Sequence, residues 1–363
     1  LRALGFGVAA AGPGVWDVTV PSYRVDVARE ADLIEEVMRV HGLEGLKPEM
    51  PELVDPVGGT TGRQDLEEAL RDALAASGLA ECVHMSMTDP ALEKAFGECP
   101  DPVMLANPLS PQSSVLRTSL LGPLAACAAR NRARGVRKLD LFEVGRVYHP
   151  RGGGLPDERP RAAAFCYSDD PPARWGEPGA RGLLHLKGCV EAALRRAGAA
   201  AEFAPVEKSP YVAGLCLAVS SERRAIGFLG TVDPRALEAA GLKSGFAHAA
   251  ELELGPLGET RREPVFAPLS KYPPVVRDFT FLAGEQVRWD DILRTLRGLD
   301  LNELAGIHLV DRYTGQEIPE GLRSWTFTLV FQSRERTLTE EDTAPVAQRV
   351  AGAMQEALGA TLR

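Results

Sequence analysis

The sequence predicts an α+β protein of two or three domains, and three observations carry that expectation. The chain has 363 residues and 39.0 kDa, enough to enclose more than one core. Helical and strand-like stretches succeed one another along it, separated by Pro- and Gly-bearing segments such as GLKPEMPELVDPVGGTTG. From about residue 269 onward the order is strand, helix, strand, strand, helix, strand, that of an α/β sandwich built from split β-α-β units. Hydrophobic residues make up 45% and charged residues 25%, the balance of a water-soluble globular chain. No run approaches the roughly 20 apolar residues of a membrane span, and no charged-then-apolar targeting segment opens the chain.

The first domain is expected over residues 1–52. LRALGFGV reads as the end of an amphipathic helix entering a strand, so Leu1 is expected to be a cut and not a natural terminus. VPSYRVDV reads as a strand that runs into a helix. On that helix Asp32, Glu35 and Glu36 stand at i, i+3, i+4 spacing, and Asp26 lies just upstream. Two readings compete on spacing alone. Four converging carboxylates are hard oxygen ligands of the kind Mg²⁺ takes. On spacing alone the leading reading is that they are solvated helix charges, with Asp32 drawn to the positive end of the helix dipole.

The second domain is expected over residues 60–258. DLEEALRDALAASGL places Leu66, Ala69, Leu70, Ala73 and Leu74 on one helical stripe that stops at Gly78. ECVHMSMTDP reads as a strand ending in a turn. A further strand at VMLAN, a Pro/Ser loop, a helix from about Leu120 to Arg132 and the strand LDLFEVGRVY follow. Residues 151–180 are rich in Gly, Pro, Arg and Asp and read as a surface excursion. The helix LLHLKGCVEAALRRAG and strands around GLCLAVSS and RAIGFLGTVDP come next.

The third domain is expected over residues 269–363, with strands at KYPPVVRDFTF, AGIHLVDRY and SWTFTLVFQ and a helix at WDDILRTLRG. The final helix opens on a Thr-x-x-Glu capping box in TLTEED, and a short strand closes the chain near Ala360–Leu362. Alternation gives Phe279 and Phe281 one face, and Trp325, Phe327, Leu329 and Phe331 another common face. That stripe is too continuous and aliphatic for a base-stacking platform and is expected to be core. The opposite face, with Asp278, Thr280, Thr326 and Thr328, is polar and better suited to RNA.

The six cysteines, Cys82, Cys99, Cys127, Cys166, Cys189 and Cys216, form no C-x-x-C pair. That spacing argues against a zinc ribbon or a disulfide framework and points to reduced, buried thiols in the cytoplasm. The histidines are equally dispersed, so His84 and His185 are expected to be structural. A net charge of −9 gives no global attraction for RNA. Arg117 and the cluster Arg130, Arg132, Arg134, Arg137 and Lys138 are read first as solvated charges near a helix end, and otherwise as RNA or partner contacts.

Three segments resemble the bacterial phenylalanine–tRNA ligase beta-subunit family. Pro21, Ser22, Arg24, Asp26, Asp32, Leu33, Ile34, Glu35, Glu36 and Gly42 match the landmarks of its B5 domain. Asn107 to Ser110, Leu116 to Leu121, Asn131 and Phe142 to Gly145 match its catalytic-like module, which has the antiparallel-sheet fold of class II synthetases. Lys271, Tyr272, Pro273, Arg277, Asp278, Asp311, Tyr313 and Arg336 to Thr339 match its ferredoxin-like anticodon-binding domain.

The resemblance implies Mg²⁺ ligation by Asp26, Asp32, Glu35 and Glu36 at the contact with an alpha subunit. It implies contact of Asp311 and Tyr313 with the wobble base of the tRNA(Phe) anticodon. The implied assembly has two alpha and two beta chains and attaches phenylalanine to tRNA at the expense of ATP, the chemistry residing on the alpha subunit. No catalytic residue is expected here, because LFEVGRVY lacks the preceding arginine and GFLGTVDPRAL does not fit the second phosphate-binding signature. The family's Glu and His are absent from Thr231–Pro234, and its His-Pro pair is replaced at Ser209-Pro210-Tyr211. The alternative is an interaction or nucleic-acid-binding protein that reuses these modules without a synthetase partner.

Overall fold

A computed structural model describes residues 1–50, 58–171, 182–259, 266, 268–315 and 317–363. The chain divides into two compact units, Leu1–Arg261 and Arg262–Arg363. No helix among the described residues is long and apolar enough to cross a membrane.

The first unit opens with an antiparallel hairpin of β1 (Gly7–Gly12) and β2 (Val15–Thr19), followed by helix α1 (Glu30–His41). The expected strand at residues 20–27 is instead a pair of turns, closed by Arg24 N–H to Pro21 O and Val27 N–H to Arg24 O. Pro21 has no N–H to give a ladder, and the paired strand lies just before it. Gly42, at φ +89°, ends α1 in a backbone conformation that side chains disfavour.

Helix α2 (Gly62–Ala76) begins at Thr61, which caps the Gln64 N–H and buries Leu66, Ala69, Leu70 and Leu74 as the stripe requires. The expected strand at 81–90 is two short ones, β3 (Ala80–Glu81) and β4 (Met87–Thr88), because each pairs with a different neighbour. After α3 (Pro90–Phe96), VMLAN contributes a single bridge from Met104 to Val115, and β5 (Val115–Leu116) pairs with β4. Helix α4 (Leu121–Arg132) and the long strand β6 (Lys138–His149) follow as expected.

Residues 151–180 hold the largest correction. They contain β7 (Asp157–Ser168), a strand of the sheet interior with Arg161 to Tyr167 all buried. Its RAAAFCY run is alanine-rich and covered on both faces, so neither propensity nor alternation marks it as a strand. The part of that expectation at 172–181 lies outside the described residues. Helix α5 (Leu183–Arg196), β8 (Glu202–Pro205), β9 (Tyr211–Ser221), β10 (Arg224–Val232), α6 (Pro234–Ala239), β11 (Phe246–Glu253) and α7 (Leu254–Glu259) complete the unit.

The central sheet has seven strands in the order β3-β6-β7-β11-β10-β9-β8, antiparallel except for the parallel β3/β6 pair. Helices α2 and α5 cover one face through a cluster built on Leu66, Leu70, Phe142, Leu186 and Leu229. Helices α3, α4 and α6 cover the other through Phe96, Leu121, Leu124, Phe165 and Leu237. Burying apolar area on both faces is the principal stabilisation of such a layer, at about 25 cal/mol per Å².

The second unit is β12 (Val275–Gly284), α8 (Trp289–Arg297), β13 (Leu304–Tyr313), β14 (Leu322–Phe331), α9 (Glu340–Leu358) and β15 (Thr361–Leu362). Its sheet order β13-β14-β12-β15, antiparallel throughout, is the expected ferredoxin-like arrangement. Phe279, Phe281, Trp325, Phe327, Leu329 and Phe331 face α8 and α9 as core, with Phe281 and Phe327 stacked 5.8 Å apart. The cap of α9 is two residues later than expected: Thr339 accepts from the Asp342 N–H, and an Asp342 carboxylate oxygen accepts the Thr339 N–H. Arg277 ties β12 to that helix start through Thr343 Oγ1 (3.0 Å) and Glu340 O (3.2 Å).

Candidate functional site

The face of the second unit's sheet that carries no helix is assembled by register. Asp278 pairs across to Thr328, Thr280 to Thr326, and Leu282 to Ser324. On the neighbouring strand His308 pairs with Thr328, Asp311 with Thr326 and Tyr313 with Ser324. Strict alternation from Leu309, which faces Phe327 and the core, would have buried Asp311 and Tyr313. The register shifts between Leu309 and Asp311, so Val310 is an extra, bulged residue. This bulge turns both side chains to the open face, where both are exposed.

Hydrogen bonds fix the floor of that face. Thr280 and Thr326 hydroxyls lie 3.0 Å apart, and Thr328 donates to Asp278. Asp311 Oδ1 accepts the Arg312 N–H at 2.8 Å, which orients the carboxylate. The Tyr313 hydroxyl lies over Gly315, where a Cβ would come within 2.1 Å of it. The paired positions on this face include Asp278 and Asp311 and no lysine or arginine. Such a face repels phosphate and suits a base: an aromatic ring to stack on, and carboxylates to accept from exocyclic amines. His308 belongs to the same surface and was not singled out from sequence; only the cross-strand pairing with Thr328 reveals it.

The acidic cluster of the first unit is organised around Arg24. Its guanidinium holds Asp26 in a forked pair (3.0 and 2.6 Å) and reaches Glu36 at 2.7 Å. Arg39 grips the second Glu36 oxygen at 2.6 Å. The hydrogen bond from Arg24 holds Asp26 down at about 2, and those from Arg24 and Arg39 hold Glu36 down at about 2. Asp32 accepts the backbone N–H groups of Ala28 (2.8 Å) and Arg29 (2.7 Å), which lower its pKa and close the helix start. Glu35 is exposed. These four carboxylates do not bring three ligand atoms within 4.8 Å of one another among the described residues. As placed, they do not fit a shared Mg²⁺ ion, since Arg24 supplies the positive charge between Asp26 and Glu36.

Arg117 is a correction to the solvated-charge reading. It is 3% exposed and donates to Glu143 at 2.7 Å and to the Arg146 carbonyl at 2.9 Å. Glu143, the acid of LFEVGRVY, is opposed by burial, yet its bonds from His84 and Arg117 prevail and lower its pKa. The basic cluster is partly spent as well, with Arg132 on Asp169 at 2.8 Å and Lys138 on Asp170 at 3.0 Å. Arg161, buried in strand β7, meets Glu98, Glu251 and Glu253 at 2.6, 3.3 and 2.9 Å. The charge of that guanidinium is balanced by carboxylates within the fold.

Three family profiles match in chain order. The tRNA synthetase B5 domain covers residues 1–43, and the ferredoxin-fold anticodon binding domain covers 270–363. Between them, the phenylalanyl tRNA synthetase beta chain CLM domain covers 46–254, more than half of the chain. The chain belongs to the phenylalanyl-tRNA synthetase beta-chain family. The phenylalanine–tRNA ligase beta subunit of Xanthomonas campestris is 34% identical over all of this chain and 46% of its own length. That of Geobacillus kaustophilus is 32% identical over 96% of this chain and 44% of its own, and that of Rhodospirillum rubrum 33% over 100% and 46%. The chain thus spans about half the length of the beta subunits it matches.

Proposed function

We propose that this chain is the C-terminal, non-catalytic part of a phenylalanine–tRNA ligase beta subunit. In that role it assembles with an alpha subunit, two of each per complex in the cytoplasm, and contacts the anticodon of tRNA(Phe) while the partner chain attaches phenylalanine at the expense of ATP. The three-part division 1–52, 60–258 and 269–363 belongs to the same proposal. The observation that carries it is the open face of the ferredoxin-like sheet, where the Val310 bulge presents Asp311 and Tyr313 together beside a polar floor.

The test uses the chain reconstituted with an alpha subunit. Tyr313→Ala is expected to weaken tRNA(Phe) binding by about 1–3 kcal/mol and Tyr313→Phe by much less, since stacking needs the ring and not the hydroxyl. Asp311→Asn is expected to reduce discrimination against a substituted wobble base. Phenylalanine-dependent pyrophosphate exchange is expected to stay unchanged in all three. Parallel loss of exchange and aminoacylation, or failure of the chain to co-purify with an alpha subunit, overturns the proposal and favours a free-standing binding module.

Magnesium at Asp26, Asp32, Glu35 and Glu36 is the finer part of the proposal. Their spacing and the family resemblance support it, and it requires Arg24 to release Asp26 and Glu36. Assembly that is indifferent to Mg²⁺, and equally indifferent to Asp32→Asn with Glu35→Gln, removes it.

A further inference from the structure

The loop after β3, an edge strand of the seven-stranded sheet, meets the middle of α4. Cys82 and His84 come from the loop and Cys127 from the helix. One ligand atom from each lies within 4.8 Å of the other two, the one such His/Cys/Asp/Glu group of three among the described residues. All three residues are half-buried, so an ion can enter but is largely shielded once there. We propose that Cys82, His84 and Cys127 form a zinc site with three protein ligands and one open position.

The donor chemistry selects the metal. Two thiolates and an imidazole are soft to borderline donors, suited to Zn²⁺ and unsuited to Mg²⁺ or Ca²⁺. Zn–S bonds of about 2.3 Å and Zn–N bonds of about 2.0–2.1 Å at tetrahedral angles separate ligand atoms by about 3.5–3.8 Å, inside the observed limit. Two thiolates neutralise the dication, so the site adds no net charge to a half-buried place. Binding releases the two thiol protons to solvent.

The surroundings already have the form that orients metal ligands. His84 Nδ1 lies 2.6 Å from Glu143 Oε2, and Arg117 holds the other Glu143 oxygen at 2.7 Å. A carboxylate on one ring nitrogen fixes the proton there and leaves the Nε2 lone pair for an ion. Asn131 Nδ2 donates to the Cys127 carbonyl at 2.9 Å and approaches Cys127 Sγ at 3.5 Å, supporting the thiolate from behind. Bound zinc would tie the 82–84 loop to α4, adding to the packing that Cys82 and Cys127 share on one core cluster.

The experiment titrates Co²⁺, as a spectroscopic stand-in, into the full chain purified metal-free under a non-thiol reductant, then displaces it with Zn²⁺. The expected result is one equivalent bound, with a thiolate-to-cobalt charge-transfer band and tetrahedral d–d bands that vanish on zinc addition. Cys82→Ser and Cys127→Ser are each expected to weaken binding by roughly 100-fold or more and to lower the charge-transfer intensity, while Cys99→Ser changes neither. Far-UV circular dichroism establishes that each variant is folded. A folded, reduced wild-type chain without the tetrahedral thiolate spectrum overturns the proposal, a result that needs no variant. Spectra undiminished in both Cys82→Ser and Cys127→Ser overturn it equally.

Discussion

At the scale of single residues, Arg24 decides the ionisation of the first unit's acidic cluster. Its forked bond to Asp26 and its bond to Glu36 hold both acids at about 2, well under their ordinary values of 3.8 and 4.5. Depressed carboxylates stabilise the fold fully above those ordinary values, and the contribution is lost as pH falls towards 2. The carboxyl ¹³C resonance of Glu36 is therefore expected to titrate near 2, and Arg24→Met to return its midpoint towards 4.5. A wild-type midpoint already at 4.5 would contradict the bonding described. The motif itself was legible, since Arg24, Asp26, Asp32, Glu35 and Glu36 all lie within one short stretch. That the arginine stands between two of the acids was not, because helical spacing describes α1 alone and Arg24 reaches it from a turn.

At the scale of elements, the extra residue Val310 in β13 governs how Asp311 and Tyr313 are displayed. Deleting Val310 removes the bulge while the cross-strand partners of Leu309 and Asp311 can be kept. The bend and added twist that aim Asp311 and Tyr313 are then lost. The deletion is expected to leave the unit folded, by circular dichroism and thermal melting, and to lower affinity for tRNA(Phe) in a binding titration. Unchanged affinity would mean that pairing alone, without the bend, sets the face. The elements themselves were largely readable here: β12, α8, β13, β14, α9 and β15 all stand near their expected places. Neither a bulge nor a double-sided strand announces itself by period. Hence the sequence pattern marks neither the bulge at Val310 nor β7 as a buried strand.

For the whole molecule, the two compact units have separate cores, and the buried Arg117–Glu143 ion pair belongs to the first. Arg117 and Glu143 have side chains 4% and 3% exposed and join β5, β6 and the 82–86 loop. Removing one partner strands the other charge out of water. Arg117→Met is expected to cost the first unit about 3–5 kcal/mol, and Arg117→Met with Glu143→Leu distinctly less. Calorimetry should show the first unit's transition moving down while that of Arg262–Arg363 stays in place. A uniform shift of both transitions would show that the units unfold together.

Local patterns in the sequence determined the α+β class, the amphipathic helices, the order of the last six elements and the stretches that carry the family's signatures. These are properties of residues near one another along the chain, where the periods of helix and strand and the chemistry of caps and turns operate directly. Tertiary structure alone decided which distant groups meet: Arg117 with Glu143, Arg161 with three carboxylates, and Cys82 and His84 with Cys127. It also decided that Asp311 and Tyr313 face outward, because a bulge is settled by the strand opposite. Contacts of that kind depend on register and on burial from both sides of a sheet, and no spacing rule along a single strand or helix records them.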